Sequence, residues 1–249
     1  MIEYSYKTIQ SLRYAKYRKI YNKFIIEGKR LIKSALEFKI NIGPLFCSER
    51  FINENKEWIK RNVRDKSIIK IISEKKSIKI SNTKSPSGIL TICDIPKKTS
   101  LNLNVNKWVY IDKISDPGNM GTLIRTCAWF GINNIALSPG CADPYNPKSI
   151  RSAMGAHFGV LLHTDVSLDT FKNSHKIIAA DLNGVNVDTY YFPIKCVLVL
   201  GNEAHGISNQ SQKYVEEYIS INKFGIGDSL NVSSAGSILI YLLMKNYKK

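Results

Sequence analysis

Cys196-Val197-Leu198-Val199-Leu200 is an unbroken apolar run that stops at Gly201. A strand with no polar face must be buried on both sides, the situation of strands in parallel sheets covered by helices. The same grammar appears upstream. The β-rich Lys107-Trp108-Val109-Tyr110-Ile111-Asp112 leads into a Pro-Gly loop and then a helical run from Thr122 to Phe130. Strands and helices alternate through the second half of the chain. This predicts an α/β fold with a mostly parallel sheet, its loops gathered beyond the strand carboxyl ends where such sheets bind ligands.

Three of those loops carry chemistry. The first, Ser115-Asp116-Pro117-Gly118-Asn119-Met120-Gly121, has a Pro-Gly turn, with Asn119 suited to cap the following helix, Arg125 about one turn inside it and Gly131 ending it. The second, Gly201-Asn202-Glu203-Ala204-His205-Gly206-Ile207-Ser208, has the glycine spacing of a phosphate-binding P-loop. Its would-be lysine is Ile207, however, and Glu203 puts a negative charge where phosphates would sit. A nucleoside triphosphate fits poorly. A ligand with a positive centre, or with only hydroxyls and an amino acid moiety, fits better. The third, Gly225 to Gly236, presents Ser229 and Asn231 beside Leu230 and runs into an apolar helix expected over Ser233 to Tyr247. Its polar side chains can cap that helix and leave backbone N–H groups to a ligand. With no G-x-G-x-x-G, a dinucleotide site is unsupported.

Charge divides the chain. Residues 1–105 hold 23 Lys and Arg against 9 Asp and Glu, a net +14, whereas residues 106–249 hold 13 against 11, a net +2. A basic first part and a nearly neutral second part suit a polyanion grip joined to a chemical centre, so nucleic acid is the expected partner. No apolar run approaches the roughly 20 residues of a membrane span, and the charged, aromatic N-terminus lacks a signal-peptide core. Neither a membrane nor export is expected. Cys47, Cys93, Cys127, Cys141 and Cys196 are scattered without a C-x-x-C pair, and the four histidines lack ligand spacing, so no disulfide or metal is implied.

The basic part reads as a smaller α/β domain. A helical start over Tyr6 to Lys19 precedes a helix over Glu27 to Phe38, a strand over Ile42 to Cys47 and a helix over Glu54 to Val63. Strands at Ile68 to Ile72 and Ile89 to Cys93 follow, with a turn at Ser85-Pro86-Ser87-Gly88 between them. Tyr4, Tyr6, Tyr14, Tyr17 and Tyr21 are candidates for stacking on bases, with core packing as the competing use. A linker over Pro96 to Asn106 separates domains expected at 1–98 and 106–249.

The order Asn119 to Arg125, Gly201-Asn202-Glu203, Ser229-Leu230-Asn231 resembles the SpoU (TrmH-like) branch of the SPOUT RNA methyltransferases. The resemblance includes Ser138 to Ala156 and runs through residues from about 107 to 245. Phe24-Ile25-Ile26-Glu27-Gly28-Lys29-Arg30-Leu31-Ile32 is similar to the opening of the family's substrate-binding domain. One departure stands out: where the family commonly has Ile-Pro-Met, this chain has Ile221, Asn222 and Lys223, which exchanges a fixed φ for a backbone donor.

The resemblance implies methyl transfer from S-adenosylmethionine to a ribose 2′-hydroxyl. It also implies a C-terminal trefoil knot, a homodimer and a cytoplasmic location. Topology rules alone speak against a knot. By the resemblance, Asn119, Arg125, Glu203, Ser229 and Asn231 are the expected catalytic set, and Leu200, Gly201, Ile221 and Leu230 contact the cofactor. Arg125 is expected to hold the neighbouring phosphate and steady the developing alkoxide. Asn119 and Asn231 would orient Arg125 or the ribose, and Glu203 would favour a positive neighbour. With its separate basic domain the chain resembles the family members that modify large-subunit ribosomal RNA, which implies 23S ribosomal RNA; tRNA, or an inactive RNA-binding or assembly protein on the same fold, are the competing expectations.

Overall fold

The structure, a computed structural model, describes residues 5–245. Tyr4 and the expected end of the last helix at Tyr247 lie outside them. Two compact units emerge: one holds the described residues up to Lys97 together with Tyr145–Phe158, the other Lys98–Pro144 and the described residues from Gly159 onward.

In the first unit the chain forms α1 (Tyr6–Ser11), α2 (Ala15–Tyr21), β1 (Lys23–Glu27), α3 (Lys29–Glu37), β2 (Leu45–Ser48), α4 (Glu49–Glu54), α5 (Lys56–Asn62), β3 (Ile69–Ile72), α6 (Glu74–Ile80) and β4 (Ile89–Asp94). The sheet order is β1-β4-β2-β3; β4 is antiparallel to both neighbours, and β2 is parallel to β3. Ile25, Phe46, Ile72, Leu90 and Ile92 from the strands meet Ile9, Leu12 and Ile80 from α1, its C-terminal edge and α6. Serines start the helices: Ser5, Ser48 and Ser73 each accept from a backbone N–H of the first turn.

Several expectations change here: the strand expected from Ile42 starts at Leu45, and Glu54, expected to open a helix, closes α4. The start is not one helix over Tyr6 to Lys19 but two, broken because the buried Arg18 guanidinium donates to the carbonyls of Leu12 and Arg13, each at 2.8 Å. The helix expected from Glu27 starts only at Lys29. Glu27 closes β1, and Gly28 takes φ 98°, a conformation that frees the chain to turn from strand to helix. The Glu27 carboxylate is held by Ser81, Thr83 and the N–H groups of Asn82 and Ser87, so it pins the 81–87 loop.

The second unit begins with β5 (Lys107–Ile111), α7 (Pro117–Phe130) and β6 (Asn134–Leu137). The next helix, α8 (Pro147–Ala153), falls within the first unit, where Tyr145 packs on Phe24 at 5.0 Å between ring centroids. The second unit resumes with β7 (Leu161–His163), β8 (Lys176–Asn186), β9 (Cys196–Leu200), α9 (Asn209–Gln212), β10 (Glu217–Ser220) and α10 (Val232–Lys245). Its strands run in the order β10-β8-β9-β5-β6-β7, and every neighbouring pair is parallel. The expected mostly parallel α/β sheet is therefore present. Both central strands are buried along their whole length, as an apolar run with no polar face requires.

α10 lies against α7 and β9 through Gly236. A Cβ there would come within 2.5 Å of Leu123 Cδ2 and 2.9 Å of Leu200 Cδ1. The Thr126 and Ser237 hydroxyls sit 3.1 Å apart in the same seam.

Candidate active site

The register pairs Ile111 with Leu200, so the loops after β5 and β9 leave the sheet side by side. Asp112, fully buried at the end of β5, ties them together: it accepts from Ser208 N at 2.7 Å and Ser208 Oγ at 3.2 Å. Asn202 Nδ2 adds a bond of 2.8 Å to the Lys113 carbonyl. Burial makes such polar pairs costly to leave unmade, so two loops 89 residues apart are locked to one another.

The Gly201 loop folds on itself. Asn202 and Gly206 exchange backbone hydrogen bonds of 2.8 and 2.9 Å, and the N–H groups of Ala204 and His205 turn to Asn202 Oδ1. Those amides are occupied internally, and the following α9 has only four residues. The glycine spacing of a P-loop is thus not accompanied by its anion nest. Gly201 itself serves this fold: a Cβ would lie 2.5–2.7 Å from the Gly206 and Ile207 backbone. The glycine admits a neighbouring strand of the same loop, a role that spacing alone cannot reveal.

A hydrogen-bond chain joins the three sequence-derived loops. Asn119 Nδ2 donates to Glu203 Oε1 at 2.6 Å, and Asn231 Nδ2 donates to Asn119 Oδ1 at 3.1 Å. Asn119 is not the helix cap it was expected to be. Asp116 is the cap, accepting from Asn119 N at 2.9 Å with Pro117 at the first turn, which turns the Asn119 amide outward to the other loops. Asn231 does cap its helix: Oδ1 accepts from Ser233 N and Ser233 Oγ. Glu203 therefore faces a neutral amide.

Arg125 stands apart from this chain. It is exposed, with no hydrogen bond or ion pair to a described residue. Six residues beyond Asn119, it lies about 120° round the helix. Ser229 is exposed in the third loop.

Beside the chain lies a cavity of about 580 Å³. Leu200, Gly201, Ile221 and Leu230 all line it, together with Glu203 and Ser229; Asn119, Arg125 and Asn231 do not. Leu200 is buried and Leu230 half-exposed. The sequence reading missed Asp181 on β8 and Asp228, two further carboxylates of the wall, and gave no role to Lys223, its one Lys or Arg among the described residues. Asp112 was also missed, although a carboxylate closing an apolar strand is a visible signal. The volume is that of a small-molecule site. Apolar walls with carboxylates on the rim suit a flat ring and a positive centre.

Residues 106–241 match the SpoU rRNA Methylase family. The chain belongs to that family. Residues 5–91 match the MRM3-like substrate binding domain. A Bacillus subtilis 23S rRNA guanosine 2′-O-methyltransferase, RlmP, is 28% identical over 89% of this chain and 88% of its own length. The mitochondrial rRNA methyltransferase 3 of Xenopus laevis is 26% identical over 94% of this chain and 72% of its own. Among solved structures, a protein of Porphyromonas gingivalis from the TrmH family of RNA methyltransferases superposes with a TM-score of 0.83 at 27% identity, covering 98% of each chain. AviRb of Streptomyces viridochromogenes, solved with AdoMet, shares the fold at a TM-score of 0.82 and 22% identity.

Proposed function

We propose that this chain transfers a methyl group from S-adenosylmethionine to a ribose 2′-hydroxyl of ribosomal RNA. The observation that carries the reading is the Glu203–Asn119–Asn231 chain, which fixes three loops at the rim of a ligand-sized cavity. Family membership and the named activity of relatives that match most of their length support it.

S-adenosylmethionine, when bound, supplies a methyl group on a cationic sulfur. Leu200, Ile221 and Leu230 offer apolar surface to its ring, and Asp181, Glu203 and Asp228 offer carboxylates to its positive charges. Asn119 holds Glu203 in place from α7, and Asn231 holds Asn119 from the start of α10. A rigid rim matters because in-line displacement is governed by alignment, and good orientation supplies about 7–11 kcal/mol of barrier reduction. Arg125, exposed and without an acidic partner among the described residues, is free to take the phosphate beside the reacting ribose and to steady the developing alkoxide. Its intrinsic pKa of roughly 12.5–13.8 makes it a poor base. Ser229 lines the cavity from the third loop, where its hydroxyl would meet the cofactor or the ribose.

The same reading assigns RNA binding to residues 1–98 and methyl transfer to 106–249. The net +14 of residues 1–105 supports the first assignment. It also proposes a homodimer formed through α7 and α10. Trp129 on α7 is 83% exposed, Ile238 and Tyr241 on α10 are exposed, and Phe130 packs on Tyr241 at 5.7 Å. Exposed apolar side chains on two packed helices are the kind that a second copy would cover. After edge strand β10, α10 returns to β9 and α7, a path consistent with the family knot. A cytoplasmic location belongs to the same proposal. No described helix is long and apolar enough to cross a membrane. No metal enters this scheme.

Incubation with methyl-labelled S-adenosylmethionine and either ribosomal RNA or tRNA tests the reading. Label in ribosomal RNA is expected. Label confined to tRNA would reassign the substrate, and cofactor binding without transfer to either would favour an assembly protein.

A further inference from the structure

We infer that the bend between α1 and α2 carries a base-stacking contact for single-stranded RNA, built on Tyr14 and Tyr17 and flanked by Arg13, Lys16 and Lys19. This inference rests on the RNA-substrate reading and assigns it a surface.

The structure sorts the candidate tyrosines. Tyr6 packs on the core against Phe46, with Lys76 Nζ 5.1 Å from its ring centroid, and Tyr21 packs on the same core. Tyr4 lies outside the described residues. Tyr14 is 61% exposed, the most open of those described. Tyr17 lies parallel to Tyr21, with centroids 6.1 Å apart and planes at 18°, and Lys16 Nζ stands 5.9 Å from the Tyr17 centroid. Spacings of three and four residues set Tyr14, Tyr17 and Tyr21 along one side of α2 and its cap. Only Tyr21 of the three is anchored in the core, so the row leads outward from a fixed ring to an open one.

Charge points the same way. Residues 5–26 contain no Asp or Glu, and Arg13, Lys16 and Lys19 form no ion pair with a described residue. Among the described residues no carboxylate pairs with them, which fits a polyanion and not a mixed-charge protein face. Flat rings interleaved with cations match unpaired bases on a tracked backbone; a duplex hides its base faces.

The bend is also preformed. Arg18, only 1% exposed, fastens the Leu12 and Arg13 carbonyls, and Tyr14 N donates to the Ser11 carbonyl at 3.0 Å. A buried guanidinium that holds a turn leaves Arg13 and Tyr14 displayed with less ordering left to lose on binding.

The test uses the full chain and three labelled RNA probes: a single strand, the same strand with abasic riboses, and its blunt duplex. Tyr14→Ala is expected to weaken single-strand binding about 5- to 100-fold, while Tyr14→Phe stays within about twofold. Against the abasic strand, wild type and Tyr14→Ala should bind alike. Lys16→Gln should weaken both strands equally and lower the salt slope by about 0.7. S-adenosylmethionine affinity should not change in any variant, which also certifies folding. Equal losses on the normal and abasic strands, or Tyr14→Ala binding as wild type does, would overturn the stacking contact. Failure of wild type to bind any probe would instead remove the RNA reading beneath it.

Discussion

Gly201→Ala separates a glycine that receives a ligand from one that receives its own loop. A Cβ at 201 would sit 2.5 Å from Gly206 C, against an ordinary contact of at least 3.4 Å. Something must therefore move by about 0.9 Å, and the neighbour is backbone. That shift exceeds what the paired Asn202–Gly206 bonds of 2.8 and 2.9 Å tolerate. Losing two such bonds at about 0.5–1.5 kcal/mol each gives about 1–3 kcal/mol, similar to the usual cost of overpacking. Because Asp112 and Asn119 are bonded to this loop, the displacement should also reach the cavity rim. Hydrogen exchange and chemical denaturation measure the stability loss, and calorimetry measures S-adenosylmethionine binding. We expect exchange protection at 201–206 to collapse and affinity to fall at least tenfold. Gly206→Ala is the control: it meets nothing within 4 Å and has only its φ of 64° to strain, so about 1–2 kcal/mol is expected. Wild-type protection and affinity in Gly201→Ala would refute the packing argument.

Four further outcomes are expected. Asn119→Ala removes both links of the hydrogen-bond chain and should raise amide exchange in residues 201–206 and 231–233 by about tenfold, near the loss expected from one net hydrogen bond. Arg125→Ala and Arg125→Lys should bind cofactor normally yet lose methyl transfer by about 100-fold or more, with Lys only partly better because it lacks the planar fork. Trp129→Glu should shift sedimentation from dimer to monomer. Burial holds His175 below the ordinary imidazole value of 6.5, so the unfolded chain takes up its proton first. Stability should therefore fall as pH drops below 6.5, and a His175→Gln variant should show a shallower fall in a pH series of melting temperatures.

The parallel core was legible because β5 and β9 announce themselves as apolar runs stopped by loop residues. The edge beyond them was not. β8 runs from Lys176 through Asp181 to Asn186 and mixes buried and exposed positions, so no period marks it. Its Gly184 is required by β10: a Cβ would lie 2.5 Å from the Ile219 backbone, beside a register shift at Tyr218/Ile219. That demand is set by a strand 35 residues away and leaves no local trace. The site divides in the same manner. Which loops would carry polar groups was readable from Asn119, Glu203 and Asn231. Which of these would bond to which was not, since nothing in the sequence pairs Asn119 with Glu203 and Asn231. The misread cap has a plainer cause: Pro117 was taken as part of a turn, although proline is also favoured in the first turn of a helix, directly after a capping Asp116.

Methyl transfer to a ribose hydroxyl has a direct test in one substitution of the RNA. Once the methylated nucleotide is mapped, the same RNA with 2′-deoxyribose at that position lacks the nucleophile and little else. Wild-type protein should bind the deoxy RNA about as tightly as the normal one and transfer no methyl group to it. Methylation of the deoxy RNA at the normal rate would rule out the ribose hydroxyl and show that the acceptor is a base.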